Sequence, residues 1–528
     1  MNTKKSSVWE GALLLTAAAL VVKLLSTVYR IPYQNMTGDF GFYVFQQAYP
    51  FYAIAVAIAF TGFPMALSRM IASEKNNTDH LIKTSVWTSF LLGILSFILL
   101  FATAPFLALL MGDSQLSLPI RVISVLFLFI PLSAFLRGTY QGYGDMQLTA
   151  VSQLLEQTFR VSGILFISFY LVRTGYSSYE TGAGALAGSV LGAAASGLFL
   201  LFFWKKGITP PYLSKAKIRV SYAIELLKSS IYLSLSALVL ALMQLVDAFL
   251  FVNVWVESGM QAYDAKLLKG IFDRGQPLLQ LGTVAAASVA LAVVPEMAHL
   301  VQEKRKTEIQ ALTKLSVKIS VVFGGAAAVG LICIMEPLNT MLFKNAAGSS
   351  ALAVLCLSII PVSIIYTSTG LLQGIGHGRY AALSILAAIF VKVAGNLVWI
   401  PYLGMEGAAV STVIATSVAA VIQLIKLQTA TRFMKHVRAG NLFAYLFALG
   451  VMVAGVMLWI FIAENMFEGA SRLDALFISV TSSVVGGMLY LIAIIKCNIF
   501  SKEEWDSVYD SVETIRKLVD RLKKRRRK

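Results

Sequence analysis

The sequence predicts an all-α polytopic membrane protein with 14 transmembrane helices, and three observations lead to this prediction. Of the 528 residues, 57% are hydrophobic and only 13% are charged, with a mean hydropathy of +0.74. Apolar stretches recur along nearly the whole chain, and each is long enough to cross a hydrocarbon core of about 30 Å as a helix. They are continuous rather than alternating, which excludes a β-barrel. Lysine and arginine cluster in every second connecting segment.

The third observation gives the orientation. We place the spans at 8–29, 42–68, 82–110, 117–136, 148–172, 182–204, 223–255, 276–298, 315–342, 350–373, 380–400, 406–428, 441–463 and 474–496. With the N-terminus inside, 33 of the 44 Lys and Arg residues fall in inner segments and seven in outer loops. The positive-inside rule then predicts that both termini are cytoplasmic. It also accounts for the net charge of +17, so we expect no nucleic-acid partner.

An internal repeat divides the chain. The segment from Leu136 matches the segment from Ser368 at a constant offset of 232 residues. The matched pairs are Gly138 with Gly370, Gln141 with Gln373, Gly142 with Gly374, Gly144 with Gly376, Ser152 with Ser384, Arg160 with Lys392, and Gly163 with Gly395. Because both copies run in the same direction, we interpret them as a parallel duplication of a transporter-like body. The glycines of the repeated segments do not follow the pattern of a phosphate-binding loop, and they predict tight turns instead.

The repeat and the composition predict five units. They are an N-terminal lobe at 1–204 (spans 1–6), a cytoplasmic linker at 205–228, a C-terminal lobe at 229–430 (spans 7–12), spans 13 and 14 at 431–498, and a basic amphipathic tail at 499–528. The tail would contact anionic membrane lipids, or it would be a solvated stop-transfer segment.

Chemistry-bearing residues inside the spans are few. A charge within a membrane span is costly and usually faces a bundle interior or an aqueous cavity. We predict substrate binding by Lys23, Arg30, Arg160, Arg274 and Lys392, and ion coupling by Asp247 or Glu156. A cleft lined by cations suits an anionic substrate, since arginine matches phosphate through paired hydrogen bonds. The substrate also needs an apolar part, and a lipid pyrophosphate meets both demands.

Two of these cations are repeat mates with different neighbours. Glu156 precedes Arg160 by four residues, a spacing that lets the two meet on one helix face as a self-satisfied pair. Lys392 has only Ala388 at the equivalent position. We therefore expect Lys392 to be the freer of the two charges.

The other candidates also have two interpretations each. Lys23 and Arg30 are seven residues apart and share a helix face. Arg30 would line the cavity or anchor span 1 at the interface, and Arg274 would line the cavity or pair with its neighbour Asp273. Asp247 would hydrogen-bond locally or bind a proton or cation.

No motif indicates a cofactor, a metal or an enzyme. The three cysteines lie singly in apolar runs, the four histidines lack ligand spacing, and no ATP-binding motif is present. The energy for any transport would come from an ion gradient, the membrane potential or the substrate gradient.

Three motifs carry a family resemblance. They are the LxGxxQGxG turn after span 4, the GFP-containing end of span 2 at 62–72, and the KLLSTVYR segment at 23–30. They resemble the polysaccharide-transport branch of the multidrug/oligosaccharidyl-lipid/polysaccharide (MOP) exporter superfamily, over about residues 8–500. Within it, the chain is most similar to the group of stage V sporulation protein B and MurJ-type lipid II flippases.

The resemblance implies a cationic cavity between two rocking lobes that binds a lipid-linked pyrophosphate-sugar. By position it assigns cavity roles to Lys23, Arg30 and Arg274. Two departures stand out. Lysine replaces the usual arginine at position 23, and residues 53–60 are wholly apolar where the family has an arginine in the second helix.

Our main hypothesis is therefore a flippase for an undecaprenyl-pyrophosphate-linked saccharide, such as lipid II or a related peptidoglycan precursor. It would be a monomer in the cell membrane and would work by alternating access. One alternative is a cation-coupled multidrug exporter of the same superfamily with Asp247 as its coupling carboxylate. Another is a scaffold for cell-wall or spore-coat assembly that transports nothing.

Overall fold

The structure is a computed structural model, and it describes residues 15, 18–19, 21–73, 78–207, 217–436, 439–466, 471–501 and 504. Within these residues the regular structure is helical and no strand occurs. The predicted all-α polytopic fold is confirmed. Residues 208–216 of the predicted linker, and 502–503 and 505–528 of the predicted tail, lie outside the described residues.

The helices follow the predicted spans closely. In the N-terminal half they cover Arg30–Ala57, Phe63–Ser73, Thr78–Leu110, Ser117–Ser124, Leu126–Gly142, Met146–Arg173 and Ser178–Gly207, with one wider π-helical turn at Ile58–Gly62. From span 7 onward they cover Val220–Glu257, Ala262–Asp273, Gly275–Gly282, Val284–Gln302, Lys306–Cys333, Met335–Phe343, Ser349–Cys356, Ile359–Gly374, Gly378–Thr431, Ala439–Glu464 and Arg472–Lys496. Two short 3₁₀ turns, Ser114–Leu116 and Phe433–His436, complete the described elements.

Eleven helical segments among the described residues are long and apolar enough to cross a membrane. Two of them, Val21–Ser73 and Gly378–Thr431, have 53 and 54 residues. A straight helix of that length would be about 80 Å long, far more than a bilayer needs. Each reverses at one glycine in the left-handed region, Gly38 (φ 70°) and Gly404 (φ 60°). These two segments therefore hold two spans each, and the total of 14 stays a prediction with which the helices are consistent.

The repeated glycines occupy equivalent places in the two halves. Gly144 and Gly376 both have left-handed φ, 87° and 79°, in the turns that follow spans 4 and 10. A Cβ at Gly138 would lie 3.0 Å from a side chain of span 2, and a Cβ at Gly370 would lie 3.0 Å from a backbone carbonyl of span 8. Small residues thus allow the same close helix approach in both copies.

The loops predicted to be external meet at one end of the bundle, which we call the outer end. Asn35 Nδ2 donates to the Leu342 carbonyl (2.7 Å), and Lys344 Nζ donates to the Asn35 carbonyl (2.9 Å). Lys266 pairs with Asp113 across 2.9 Å. Each contact joins the N-terminal half to the C-terminal half, so the outer end is closed.

The opposite end, called here the inner end, holds the segment that enters span 7. The Lys217 amide donates to His80 Nδ1 at 2.8 Å, which fixes the end of the connection between the halves against span 3. Lys318 at the start of span 9 pairs with Glu504 across 2.5 Å. The beginning of the tail is therefore held against the C-terminal half.

Candidate functional site

Two fully buried arginines from spans 1 and 5 lie among tyrosines. Arg30 and Arg160 are 0% and 1% exposed. The Arg160 guanidinium carbon lies 4.1 Å from the ring centroid of Tyr52 and 5.0 Å from that of Tyr29, whose hydroxyl accepts from Arg160 Nη2 at 2.8 Å. The Arg30 guanidinium lies 4.3 Å from the Tyr49 ring. We call this group of two arginines and three tyrosines the arginine–tyrosine cluster.

The local sequence explains the cluster. Tyr29 directly precedes Arg30, while Tyr49 and Tyr52 are three residues apart and so share one face of span 2. That face is turned toward spans 1 and 5. Aromatic rings attract a guanidinium through their negative faces, and the attraction grows in a desolvated site. Tyr52, whose ring contacts the Arg160 guanidinium of span 5, is the last residue before the apolar run at 53–60.

The remaining partners of both arginines are neutral. Arg160 donates to Gln157 Oε1 and to Ser189 Oγ, both at 3.3 Å. With the Gln280 amide turned so that its oxygen faces span 1, that oxygen accepts from both terminal nitrogens of Arg30, at 3.1 and 3.3 Å. Within the described part of the chain, no acidic side chain lies within 4 Å of either guanidinium.

Lys23 extends this charged surface along span 1 toward the inner end. Its side chain is half-buried, and Nζ lies 5.5 Å from the ring centroid of Tyr366 in span 10. The Thr27 hydroxyl, one turn further on, lies 3.3 Å from the Gln280 amide of span 8. Span 1 therefore presents Lys23 and Arg30 to the C-terminal half, on the shared face that their spacing predicts.

The prediction that Glu156 could pair with Arg160 is wrong. Glu156 accepts from Arg137 of span 4 at 2.7 Å, and both side chains are buried. Arg137 also donates to Ser152 (2.9 Å) and Ser196 (2.8 Å). Glu156 is thereby neutralised inside the N-terminal half, and Arg160 is left with the tyrosines.

The expectation that Lys392 is the freer charge is also wrong. Lys392 Nζ lies 2.7 Å from Asp247 Oδ1 and donates to Thr412 Oγ1 and to the Ala408 carbonyl. The acid comes from span 7, 145 residues earlier in the chain, so helix spacing could not reveal it. Asp247 is correspondingly occupied by Lys392 and by the Asn396 amide, which donates to it at 2.9 Å.

Arg274 does not pair with its neighbour Asp273, which instead pairs with Lys269 across 2.5 Å. Arg274 donates from Nε and Nη2 to the two carboxylate oxygens of Asp39, at 2.8 and 2.6 Å, and from Nη1 to Asn345 at 2.8 Å. Asp39 follows the turn between spans 1 and 2. This pair of hydrogen bonds therefore joins the two halves at the outer end.

Sequence reasoning singled out the cations and missed the neutral residues around them. Tyr29, Tyr49, Tyr52 and Gln280 were not among the predicted site residues. The available signal was the density of tyrosine and glutamine in 29–52, which is unusual for membrane-spanning helices. Buried phenols and amides need hydrogen-bond partners, so such a run indicates a polar interior.

The described residues contain no group of three or more His, Cys, Asp or Glu side chains placed to hold a metal. One histidine lies at an inner turn of the repeat. Burial lowers the pKa of His377, and the neighbouring Lys426 and Arg379 lower it further. This histidine is therefore neutral at pH 7 and adds no charge to the turn.

In energetic terms the arginine–tyrosine cluster differs from the other buried cations. Removing an ion from water costs several kcal/mol, and a carboxylate partner normally offsets this cost. Arg137, Arg274, Lys269 and Lys392 each have such a partner. The two arginines of the cluster have no such partner among the described residues, and they carry two positive charges next to the contact between the halves.

Comparisons with known proteins agree with this architecture. The polysaccharide biosynthesis protein family matches residues 8–301. The chain is 37% identical over 515 residues to the uncharacterized membrane protein YabM of Bacillus subtilis, covering 96% of both chains. It is 23% identical over 523 residues to lipid II flippase MurJ of the same organism, covering 92% and 94% of the two chains. Identity to its stage V sporulation protein B is 26% over 429 residues, covering 78% and 81%.

Solved structures show the same fold. An inward-facing multidrug resistance MATE family transporter of the MOP superfamily superposes with a TM-score of 0.66 at 17% identity, covering 81% of this chain and 100% of that one. The inward closed conformation of lipid II flippase MurJ superposes with a TM-score of 0.65 at 13% identity, covering 92% and 100%. The chain belongs to the polysaccharide biosynthesis protein family, has many helices able to span a membrane, and shares its fold with transporters of the MOP superfamily.

Proposed function

We propose that the protein flips a polyprenyl-diphosphate-linked saccharide, such as lipid II or a related peptidoglycan precursor, across the cell membrane. The polar head would bind at the arginine–tyrosine cluster while the lipid tail stays in the bilayer. The single observation that carries the proposal is the pair Arg30 and Arg160. Both are fully buried, and neither has an acidic side chain within 4 Å among the described residues.

The chemistry of the two charges favours a diphosphate. Arginine binds phosphate oxygens through two parallel N–H bonds, which an ammonium cannot do. Two guanidiniums held near Tyr49 match the two negative charges of a phosphodiester-linked diphosphate. Tyrosine rings also offer apolar faces and hydroxyls on which a sugar can pack and form hydrogen bonds. Lys23, further toward the inner end, would attract the anion as it enters.

We propose that transport proceeds by alternating access between the two halves, 1–204 and 229–430, joined by the segment 205–228. A closed outer end is what loading from the inside would require. The excess of Lys and Arg in the inner segments supports a cytoplasmic loading side, with both termini there. Release would require separation of the outer contacts, chiefly the bond between Arg274 and Asp39.

The multidrug-exporter alternative receives less support. An exporter of organic cations needs a carboxylate that can exchange its counter-ion. Asp247 and Glu156, the two acids within spans that we considered, are both buried and bonded to Lys392 and Arg137. A cluster with two unneutralised guanidiniums repels organic cations.

The test uses full-length protein in proteoliposomes that contain fluorescent lipid II. Arg30→Gln and Arg160→Gln should each reduce binding and flipping at least about tenfold, since a charge-assisted hydrogen bond contributes about 1.5–3 kcal/mol. Arg121→Gln is the matched control, because Arg121 is exposed on span 4 and lies against Phe101 outside the cluster. Its flipping rate should equal that of the wild type.

Three results would overturn the proposal. The first is a wild-type flipping rate in both cluster variants. The second is transport of cationic dyes without binding of lipid diphosphates. The third is that the protein neither supports growth of a strain depleted of its lipid II flippase nor flips any lipid in vitro. Flipping of other polyprenyl-diphosphate saccharides but not lipid II would keep the cluster assignment and change the saccharide.

A further inference from the structure

Three glutamines of the C-terminal half continue from the arginine–tyrosine cluster toward the outer end. Gln280, which accepts from Arg30 in the orientation given above, lies one helical turn after Gln276 in the helix Gly275–Gly282. Residues four apart share a helix face, so these two glutamines point the same way. Gln244 of span 7 donates from its amide nitrogen to the Gln276 amide oxygen. We call Gln244, Gln276 and Gln280 the glutamine row.

The local sequence explains why the row faces the N-terminal half. Gly275 and Gly282 are seven residues apart and share one face of their helix, and a Cβ at either would clash with an apolar side chain of the C-terminal half. This face therefore packs inside that half. The two glutamines of the helix lie about a third of a turn away from it. On their side, the Thr27 hydroxyl of span 1 lies 3.3 Å from the Gln280 amide.

The row has hydrogen-bonding capacity that the protein does not use. Gln244 and Gln276 are 7% and 4% exposed. A primary amide has two N–H donors and an oxygen that can accept twice. The bond between these side chains uses one donor and one acceptor position, and the described residues provide no further hydrogen bond to either. Buried amides are nearly always satisfied, so the remaining donors and acceptors indicate a polar ligand.

Unused donors also lie at the cluster itself. Gln157 accepts from Arg160 at 3.3 Å, while its Nε2 is buried and has no hydrogen-bond partner among the described residues. Arg30 Nε is likewise buried and unpartnered within the described part of the chain. Unused polar groups therefore lie on both sides of the contact between the halves. A hydroxyl group can bond with either kind, because it both donates and accepts.

The chemistry of the row suits an uncharged saccharide. Its three side chains carry no charge, so a charged ligand group would gain no counter-ion there, and a buried ion without one is costly. Sugar hydroxyls donate and accept hydrogen bonds. An acetamido group on a sugar presents an N–H and a carbonyl oxygen, which can pair with an amide as Gln244 pairs with Gln276.

We propose that the glutamine row binds the sugar next to the diphosphate that the arginine–tyrosine cluster holds. This inference rests on the proposed function and makes it more specific, since a carrier lipid without a sugar would lack the contacts of the row. Gln244 and Gln276 are then specificity-determining residues, because a site built to hydrogen-bond a ligand group discriminates against ligands without it. The row lies between Arg30 and the bond of Arg274 with Asp39, so the sugar would lie deeper than the diphosphate in a cleft loaded from the inside.

The experiment measures equilibrium binding of two radiolabelled lipids to purified full-length protein in detergent. The lipids are lipid II and undecaprenyl diphosphate, which has the same tail and a diphosphate but no sugar. Gln244→Ala and Gln276→Ala should each weaken binding of lipid II about three- to tenfold, as expected for the loss of a neutral hydrogen bond. Both variants should bind undecaprenyl diphosphate as tightly as the wild type.

Three further variants define the controls. Gln302→Ala makes the same change at an exposed position at the end of the helix Val284–Gln302, and it should leave both affinities unaltered. Arg30→Gln should weaken binding of both lipids, because it acts on the diphosphate. Gln276→Met keeps nearly the length of glutamine without the amide, and it should reproduce the effect of alanine where the smaller side chain prevents folding. Retained binding of undecaprenyl diphosphate shows that a variant is folded.

The outcomes separate this inference from the proposed function. If the wild type binds both lipids, and the glutamine variants weaken neither or weaken both equally, the inference is wrong and the proposed function stands. Loss of both lipids in Gln276→Ala and also in Gln276→Met counts against it, since the row would then support the cluster rather than recognise a sugar. Failure of the wild type to bind either lipid would refute the proposed function and the inference with it.

Discussion

The bond between Arg274 and Asp39 should control closure of the outer end. Arg274 is fully buried, and it donates two hydrogen bonds to the carboxylate of Asp39. Asp39→Asn would remove the negative charge and leave the guanidinium unpaired. Breaking a buried pair costs about 3–5 kcal/mol, and we take about 2–3 kcal/mol because Asp39 is partly exposed. This cost falls on the closed state alone, so the equilibrium should shift about 30- to 150-fold toward the outward-open state.

Spin labels can measure the shift. Tyr176 at the outer end of the first half and Tyr402 at the outer end of the second are both exposed, so each can be replaced by a labelled cysteine after the three native cysteines are changed to alanine. We expect the distance distribution of Asp39→Asn to move to longer separations. Asp264→Asn, an exposed acid at the same end, makes the same chemical change and should leave the distribution unaltered. An unaltered distribution in Asp39→Asn would refute the reasoning.

Three other changes test the packing. Glu156→Leu should destabilise the protein by about 3–5 kcal/mol in chemical unfolding because it leaves Arg137 buried and unpaired, and replacing both by leucine should recover at least half of the loss. Gly62→Ala would place a Cβ over the Ser230 carbonyl and force spans 2 and 7 apart, so the unfolding temperature should fall by an amount equivalent to about 1–3 kcal/mol. Gly376→Ala has open space, so only its left-handed φ matters, and unfolding should show a cost of about 1–2 kcal/mol.

The sequence was sufficient to predict that the charges inside the spans, such as Arg160, Asp247 and Lys392, are buried, because a charge inside a span must face the interior. It did not predict the burial of Arg137 and Lys269, which lie outside the predicted spans. It also predicted the repeat, since matched glycines mark backbone positions that only glycine fills well. The constant offset alone therefore identifies Arg160 and Lys392 as equivalent residues. We expected Lys392 to be the freer of the two charges, but Lys392 is paired with Asp247, whereas Arg160 has no carboxylate partner among the described residues.

The error has a clear physical origin. Spacing along one helix shows which residues share a face, but it does not show which neighbouring helix that face meets. Glu156 is four residues from Arg160, yet its partner Arg137 lies on the preceding span. Asp247 reaches Lys392 across 145 residues. Such pairs depend on the rotation and tilt of packed helices, which a single sequence leaves undetermined.

The one-residue turn at Gly38 has a mechanical consequence. The segment from Arg30 to Gly38 is helical and spans about 12 Å, and the next residue, Asp39, holds Arg274. This short helical segment thus connects Arg30 of the arginine–tyrosine cluster directly with the pair of Asp39 and Arg274 at the outer end, without an intervening loop. A displacement of Arg30 by about one ångström would therefore also displace Asp39. Binding of a substrate at the cluster and opening of the outer end would then be mechanically coupled through this helical segment.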